Sequence, residues 1–245
     1  MKKLFLIGCL ILITACQNAA STLQAESTPT KTVSTPTLPA TATPTFLPTS
    51  TFTPTPVPMY FTEEFNTDMN AWASFQTGGE QMPSVKLENN SLRIDITSPD
   101  TWYYAIHGAH DYSEVFVSAK FSSTPSGSMG LMCNYSESNG WYEFNIASDG
   151  TYNVLFGQWL APGIAQYSPI TTDTTEYIHA GTLDYEIGLT CIENTILLHV
   201  NGKLFRKLDV THLGLSGGKI GITASSFEEL PMIAVFDWVK VSTPE

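Results

Sequence analysis

Charged residues are scarce in this chain, and basic residues are scarcer than acidic ones. Of 245 residues only 14% are charged, with 11 Lys and Arg against 23 Asp and Glu. The formal net charge of −12 creates a field that repels phosphate backbones, so we do not expect a nucleic-acid partner. The same field opposes electrostatic attachment to an anionic membrane surface. Aromatic residues make up 11% of the chain, and this apolar content argues against global disorder.

The patterns that identify common enzyme sites are also missing. The sequence contains no Ser-His-Asp order, no nucleophile elbow, no Gly-rich phosphate loop and no dinucleotide fingerprint. His107-x-x-His110-Asp111 combines metal-ligating residue types, but no cysteine or carboxylate spacing around it supports a closed metal site. We therefore expect a polar loop after Trp102-Tyr103-Tyr104. No stretch carries a 3.6-residue apolar stripe over three turns, so helices are not expected.

The N-terminus has the pattern of an exported protein. Lys2 and Lys3 precede an apolar run over residues 4–13, which is too short to span a bilayer as a mature helix. The run ends in Ile13-Thr14-Ala15-Cys16, which resembles a bacterial lipobox. The resemblance implies that residues 1–16 are a signal peptide and that Cys16 is lipid-modified and becomes the new N-terminus. The alternative is an ordinary secretory signal in which Cys16 is incidental.

Residues 17–58 have the composition of a tether. They hold 13 Thr, 8 Pro and 4 Ser, and their only charged residues are Glu26 and Lys31. Such a segment has too little apolar surface to collapse, and its prolines favour extended conformations. We predict a disordered Thr/Pro-rich linker. It would hold the following domain away from the outer face of the cell membrane, or at the cell surface, with the lipid anchor as the sole membrane contact.

Residues 59–245 have the alternation of a β-sheet domain. Apolar residues recur at every second position, and turn residues such as Asn201-Gly202 separate these runs. The main alternating sets are Leu92, Ile94, Ile96; Val115, Val117, Ala119, Phe121; Tyr142, Phe144, Ile146; Tyr185, Ile187, Leu189, Cys191; Ile196, Leu198, Val200; and Ile220, Ile222. About a dozen short strands with frequent turns predict an all-β domain, either a two-sheet sandwich or a jelly roll.

Two cysteines lie in this domain, Cys133 and Cys191. Each is in phase with the apolar set of its own strand, so both thiols should face the core. In an oxidising compartment this placement predicts a disulfide. Two separate buried thiols are the alternative.

Several stretches of the domain resemble concanavalin A-like lectin and glucanase domains, especially bacterial lipoprotein forms related to laminin-G-like and 3-keto-disaccharide hydrolase-type jelly rolls. These stretches are Phe61-Thr62-Glu63-Glu64-Phe65, Gly130-Leu131-Met132-Cys133-Asn134-Tyr135, Asn139-Gly140-Trp141-Tyr142-Glu143-Phe144, Asp149-Gly150, Val200-Asn201-Gly202, Gly218-Lys219-Ile220-Gly221 and Val235-Phe236-Asp237-Trp238-Val239-Lys240-Val241. The resemblance implies an antiparallel concanavalin A-like jelly-roll sandwich. Its motifs are strands and turns, so they specify fold better than function.

A retaining glucanase on such a fold needs two carboxylates about 5 Å apart. The family's Glu-x-Asp-x-x-Glu pattern, which supplies them, is absent here. The nearest candidates are Asp173-x-x-Glu176, Glu63-Glu64 and Glu228-Glu229, and we interpret all three as surface charge. The sequence therefore favours a domain without catalytic activity, while a glycoside hydrolase with an unfamiliar carboxylate pair stays open.

Aromatic residues give the better functional prediction, because sugars stack their apolar faces on flat rings. The candidate carbohydrate-binding residues are Trp102, Tyr104, Trp141 and Trp159. Trp159 lies in a loop-like context and is the one that we expect to be exposed. Each tryptophan could instead serve core packing.

The resemblance also implies a structural calcium ion where the first and last strands meet, with Asp237 and Glu63 or Glu64 as ligands. No other cofactor is expected. The leading hypothesis is a surface-anchored module that binds a polysaccharide or another extracellular polymer. A hydrolase and a protein-interaction or envelope-structural module are the alternatives.

Overall fold

A computed structural model describes residues 57–181 and 183–244. The predicted signal peptide, Cys16 and the tether up to residue 56 lie outside the described residues, so their assignments stay predictions. The described part contains fifteen β-strands and one short 3₁₀ helix, Thr211–Leu213. Within these ranges no helix is long and apolar enough to cross a bilayer.

The strands form two sheets, and all neighbours in both sheets are antiparallel. Sheet A consists of β1 (Phe61–Glu63), β3 (Ser84–Glu88), β4 (Ser91–Ile96), β6 (Val115–Ser123), β11 (Asp184–Ile192), β12 (Thr195–Val200), β13 (Lys203–Asp209) and β15 (Met232–Ser242). Its order is β13-β12-β11-β6-β15-β4-β3, and β1 pairs with β15. Sheet B consists of β2 (Trp72–Gly78), β5 (Thr101–Tyr112), β7 (Ser128–Ser136), β8 (Gly140–Ala147), β9 (Thr151–Ala161), β10 (Ile164–Thr174) and β14 (Gly218–Ser225), in the order β10-β9-β8-β7-β14-β5-β2. This architecture confirms the predicted all-β jelly-roll sandwich.

The core lies between the two sheets and is built from the alternating sets. Every apolar position of the six sets is buried there. Cys133 in β7 and Cys191 in β11 form a disulfide, which confirms the pairing and links sheet B to sheet A. The Asn201-Gly202 hairpin between β12 and β13 is also confirmed, because both residues have the positive φ that such a turn requires (49° and 73°).

Two local predictions were wrong. The segment after Trp102-Tyr103-Tyr104 is not a polar loop, because β5 continues to Tyr112. His107 sits on the core side of that strand, 2% exposed, with its ring against Phe61 and Trp72. Trp159 is likewise not in a loop but in β9, and the turn comes after it, at Pro162-Gly163. Both strands extend beyond their apolar runs because the backbone stays paired there, in β5 with β14 as far as Tyr112 and in β9 with β10 as far as Ala161.

Candidate functional site

Sheet B has a second cluster of side chains on its outer face, the face that does not pack against sheet A. Four members are buried and six are partly buried. We call this set the outer aromatic cluster: Phe75, Trp102, Tyr104, Ile106, Met132, Tyr135, Trp141, Trp159, Ala165 and Tyr167. The alternation of β5 shows how the sequence builds it, since Trp102, Tyr104 and Ile106 point outward while Tyr103, Ala105 and His107 point to the other side.

Trp141 is the centre of this cluster and is fully buried. Its ring lies directly over Gly157 of the neighbouring strand β9, where an added Cβ would collide with the indole. Trp159 packs on it at 5.3 Å between ring centroids, and Tyr135 at 5.6 Å. The glycine thus makes room for a large ring that a second layer of aromatic side chains covers.

A buried carboxylate, Glu143, lies next to Trp141 on the same face of β8 and is 1% exposed. The Trp141 indole N–H donates to one of its oxygens at 2.6 Å, and the Asn145 amide donates to the other at 3.0 Å. Burial raises the pKa of the Glu143 carboxyl, and these two hydrogen bonds partly oppose that rise. The hydroxyl of Thr223 donates in turn to the Asn145 carbonyl oxygen.

The two edge strands of sheet B meet across this outer face. Thr77 of β2 and Tyr167 of β10 share a hydrogen bond between their hydroxyls at 2.7 Å, although five strands lie between them in the sheet. Tyr104 also donates to the Tyr167 hydroxyl at 2.8 Å. We call this contact the Thr77–Tyr167 bridge. Burial raises the pKa of the Tyr167 phenol to about 12, so the bridge is uncharged at neutral pH. Sheet B must therefore curl strongly, and its outer face is concave.

A pocket of about 1080 Å³ opens at one end of this concave face. The half-buried rings of Phe75, Tyr135 and Trp159 contribute to its wall together with Ile106. Its rim is formed by segments 111–113, 136–139, 160–163 and 216–219. The volume is that of a typical small-ligand site, and the mixture of flat rings with a few polar groups is typical of one.

The charged groups of this pocket lie at its rim. Lys219 pairs with Asp111 at 3.0 Å, and both side chains are partly or largely exposed. Glu137 also contributes to the lining. Two carboxylates against one ammonium leave the rim with a net negative charge.

The four predicted carbohydrate-binding residues all belong to the outer aromatic cluster, but they have different positions in it. Trp159 lines the pocket. Tyr104 and Trp141 are fully buried beneath it, and Trp102 lines a separate cavity of about 240 Å³ beside Tyr167. Their role in binding stays a prediction.

The sequence patterns did not identify Glu143 as a residue of the site. The pattern that could have identified it is the two-residue spacing of Trp141, Glu143 and Asn145, which places all three on one face of β8. A tryptophan in that phase indicates a covered face, so the carboxylate beside it is also covered.

The other carboxylates lie outside this arrangement. Asp173, Glu176, Glu228 and Glu229 are exposed, as predicted. Glu143 has Trp141 and Asn145, not acids, as its neighbours on the same face of β8. On β8 the described structure therefore places one carboxylate, Glu143, and not two neighbouring ones on the same face.

The residues predicted to bind calcium lie near the junction of β1 and β15, which pair with each other. Both carboxylate oxygens of Glu63 accept N–H donors, from Phe65 at 2.9 Å and from Trp72 at 3.4 Å. Glu64 accepts from Asn66, and Asp237 accepts from Ser91. Across residues 57–181 and 183–244 no three His, Cys, Asp or Glu side chains are grouped to hold a metal. The three predicted carboxylates thus already accept hydrogen bonds from neighbouring groups, and calcium stays an untested prediction.

No protein-family model matches this sequence. No curated protein matches it either.

Solved structures share the fold. A Bacillus subtilis protein of unknown function with a galectin-like fold matches with a TM-score of 0.54 at 14% identity, covering 76% of this chain and 98% of that one. A Bacteroides ovatus mixed-linkage glucan GH16 protein in complex with its G4G4G3G product matches at 0.53 and 11%, covering 74% and 99%. A β-1,3-1,4-glucanase (lichenase) from a mouse hindgut metagenome matches at 0.52 and 13%, covering 76% and 99%. At these identities the likeness establishes the jelly-roll fold alone.

Proposed function

We propose that this protein is a surface-anchored module that binds carbohydrate without cleaving it. The observation that carries the proposal is the pocket on the concave face of sheet B, where the half-buried rings of Phe75, Tyr135 and Trp159 face a water-accessible volume. Flat rings in such a pocket offer the apolar stacking surface that sugar rings use, and the polar rim can accept sugar hydroxyls.

Glu143 supports a binding role over a catalytic one. It is the carboxylate closest to the centre of the outer aromatic cluster, yet it is 1% exposed and both of its oxygens already accept hydrogen bonds. A general acid must reach the glycosidic oxygen, and a nucleophile must reach the anomeric carbon. A carboxylate sealed beneath Trp141 does neither, so we assign it to positioning the indole ring.

The N-terminal pattern supports display at the cell surface. Lipid attached to Cys16 would anchor the chain, and residues 17–58 would separate the jelly roll from the membrane. A glycan polymer outside the cell is then the natural partner. The glucan named for the Bacteroides ovatus neighbour makes β-glucans the first ligands to test.

The test is a polysaccharide-panel screen on residues 16–245 with Cys16→Ser, read by tryptophan fluorescence and calorimetry. We expect saturable binding to one neutral polymer class. Trp159→Ala should weaken it at least about tenfold, because truncating a tryptophan at the centre of a binding site costs about 2 kcal/mol or more.

Phe227→Ala is the matched control, because Phe227 is a 41% exposed aromatic residue outside the pocket, and it should bind as the unmodified protein does. Release of new reducing ends would replace the binding role with hydrolysis. Failure to bind any glycan would favour a protein partner or a structural role.

A further inference from the structure

Residues 57–60, which we call the tether root, join the tether to the jelly roll. Two hydrogen bonds hold the tether root on strand β5. The Nε2 of His110 donates to the Val57 carbonyl oxygen at 2.9 Å, and the Tyr112 hydroxyl donates to the Met59 carbonyl oxygen at 2.7 Å. The tether therefore leaves the domain at the C-terminal end of β5.

The same end of β5 forms part of the pocket rim. Asp111 lies between the two residues that hold the tether root, and it lines the pocket together with Tyr112 and Ser113. Because neighbouring side chains in a strand point to opposite sides, the Asp111 side chain faces away from that of His110. The tether root and the pocket are therefore separated by the end of a single strand.

The tether carries its aromatic residues close to this root. Phe46 and Phe52 are the two aromatic residues of sequence 17–56, and residues 32–56 contain no charged side chain. At about 3.1 Å per residue, an extended chain covers about 15 Å between Phe52 and Val57 and about 34 Å between Phe46 and Val57. Both phenyl rings can therefore reach a pocket whose rim includes residues next to the tether root.

The chemistry of the pocket fits such a segment. The half-buried rings of Phe75, Tyr135 and Trp159 line it, and Leu160 at its rim is 61% exposed. Proline-rich segments dock on aromatic-lined grooves, since much of their conformation is set before they bind. The charged groups of the pocket lie at the rim, and they do not repel an uncharged segment.

We propose that residues 46–56 of the tether occupy this pocket in the same molecule, with the rings of Phe46 and Phe52 as anchors, and that glycan must displace them. The docking follows from the position and chemistry of these residues, while the competition rests on the proposed carbohydrate-binding function. Because the segment is covalently attached, its effective concentration at the pocket is on the order of millimolar. The pocket would then be covered whenever no glycan is bound.

The first measurement detects docking without any glycan. It uses residues 16–245 with Cys16→Ser, in which the remaining cysteines form the disulfide. Thr53→Cys is combined with Leu160→Cys at the pocket rim, and a short bismaleimide joins the two thiols. The matched control combines Thr53→Cys with Met82→Cys, which is 62% exposed and lies outside the pocket.

The anchors are then removed by Phe46→Ser together with Phe52→Ser. The Leu160 cross-link should form at least about fivefold more slowly, because two aromatic contacts are lost. The Met82 cross-link should not slow. An unchanged rate at Leu160 would overturn the docking. A cross-linked dimer in place of a cross-linked monomer would assign the pocket to the tether of a second copy and overturn docking within one molecule.

The second measurement titrates mixed-linkage β-glucan, or the polymer that the panel selects, into the variant without the two anchors. Relieved of its competitor, the pocket should bind the glycan about threefold to tenfold more tightly than in the unmodified protein. Val33→Ser together with Leu38→Ser is the matched control, because it removes two apolar tether residues that carry no ring, and it should leave the affinity unchanged.

The two measurements separate this inference from the proposed function. Glycan binding with the same affinity in the unmodified protein and in the variant without anchors would overturn the competition and leave the proposed function standing. Docking of the tether without glycan binding in either form would overturn the proposed function and leave the pocket as a site for the tether itself.

Discussion

The two sheets share one core but differ on their outer faces. In sheet A, strand β12 alternates between half-buried and buried positions, as expected for a sheet with water on one side. In sheet B, all eight residues of β8 are buried. The same two-residue alternation in the sequence therefore corresponds to a strand with one buried face in sheet A and to a strand with two buried faces in sheet B. The difference arises because side chains of β9 and β10, Trp159 and Tyr167, pack over the outer face of sheet B, whereas in the described part of the chain the outward residues of β12 stay half-buried.

Each sheet has an aromatic ring that lies over a glycine on its outer face, and the two rings can be compared directly. Trp141 lies over Gly157 on the outer face of sheet B, and Phe116 lies over Gly188 on the outer face of sheet A. Each ring occupies the space that the glycine leaves free on the neighbouring strand. Trp141 is then enclosed by other rings, whereas Phe116 is half-buried and has His199 as its aromatic neighbour. Both sheets thus pair an aromatic ring with a glycine. The side chains that surround the ring determine how much the ring contributes to the free energy of unfolding.

The largest predicted effect is that of Trp141→Ala. We expect a loss of about 3–5 kcal/mol in the free energy of unfolding, because a fully buried ring is removed and Glu143 loses the indole N–H donor. Phe116→Ala should cost about 1–2 kcal/mol, since much of that ring already contacts water. Urea denaturation of both variants measures the difference. Equal losses would show that the outer face of sheet B is no better packed than that of sheet A.

The alternating sets were sufficient to predict an all-β domain and its core. Tyr142, Phe144 and Ile146 in β8 are as buried as their spacing indicated, and the phase of Cys133 and Cys191 led to the disulfide. These predictions succeed because side-chain direction in a strand depends on local geometry alone.

The site could be predicted only in part. The sequence identified four of the seven aromatic residues of the outer aromatic cluster, but it did not show that Trp141 and Tyr104 are fully buried while Trp159 is half-buried, or that Glu143 is buried among them. That arrangement depends on β10 reaching β2, and the bridging residues Thr77 and Tyr167 are 90 positions apart. No local pattern encodes a contact of that range.

The second prediction concerns the inner side of sheet B and its response to acid. Burial, with a smaller contribution from His110, lowers the pKa of His107 from 6.5 to about 4. Between these values the unfolded chain binds a proton that the folded chain does not. The contribution of His107 to the free energy of unfolding is therefore fully present above pH 6.5. It falls as the pH drops towards 4, by up to about 3 kcal/mol. His107→Phe should remove most of this loss, measured by urea denaturation at pH 7.5 and pH 5.

His199 provides the comparison on sheet A. Burial also lowers its pKa, but it is half-buried on the outer face, so His199→Phe should reduce the acid sensitivity less than His107→Phe does. An unchanged pH dependence in His107→Phe would show that the imidazole is not kept neutral by the fold.

The smallest predicted effect compares one threonine hydroxyl on each outer face. Thr223 is buried in sheet B and donates to the carbonyl oxygen of Asn145, which is buried as well. Thr223→Val should cost about 1–2 kcal/mol, because the substitution keeps the volume and leaves a buried acceptor without its donor.

Thr190 is equally buried next to Phe116 on sheet A, but it makes no side-chain hydrogen bond within the described part of the chain. Thr190→Val should therefore stay within about 0.5 kcal/mol of the unmodified protein in the same denaturation assay. If the two variants lost the same stability, the Glu143–Asn145–Thr223 network would contribute nothing to holding Trp141 in place, and the polar groups of sheet B would be as dispensable as those of sheet A.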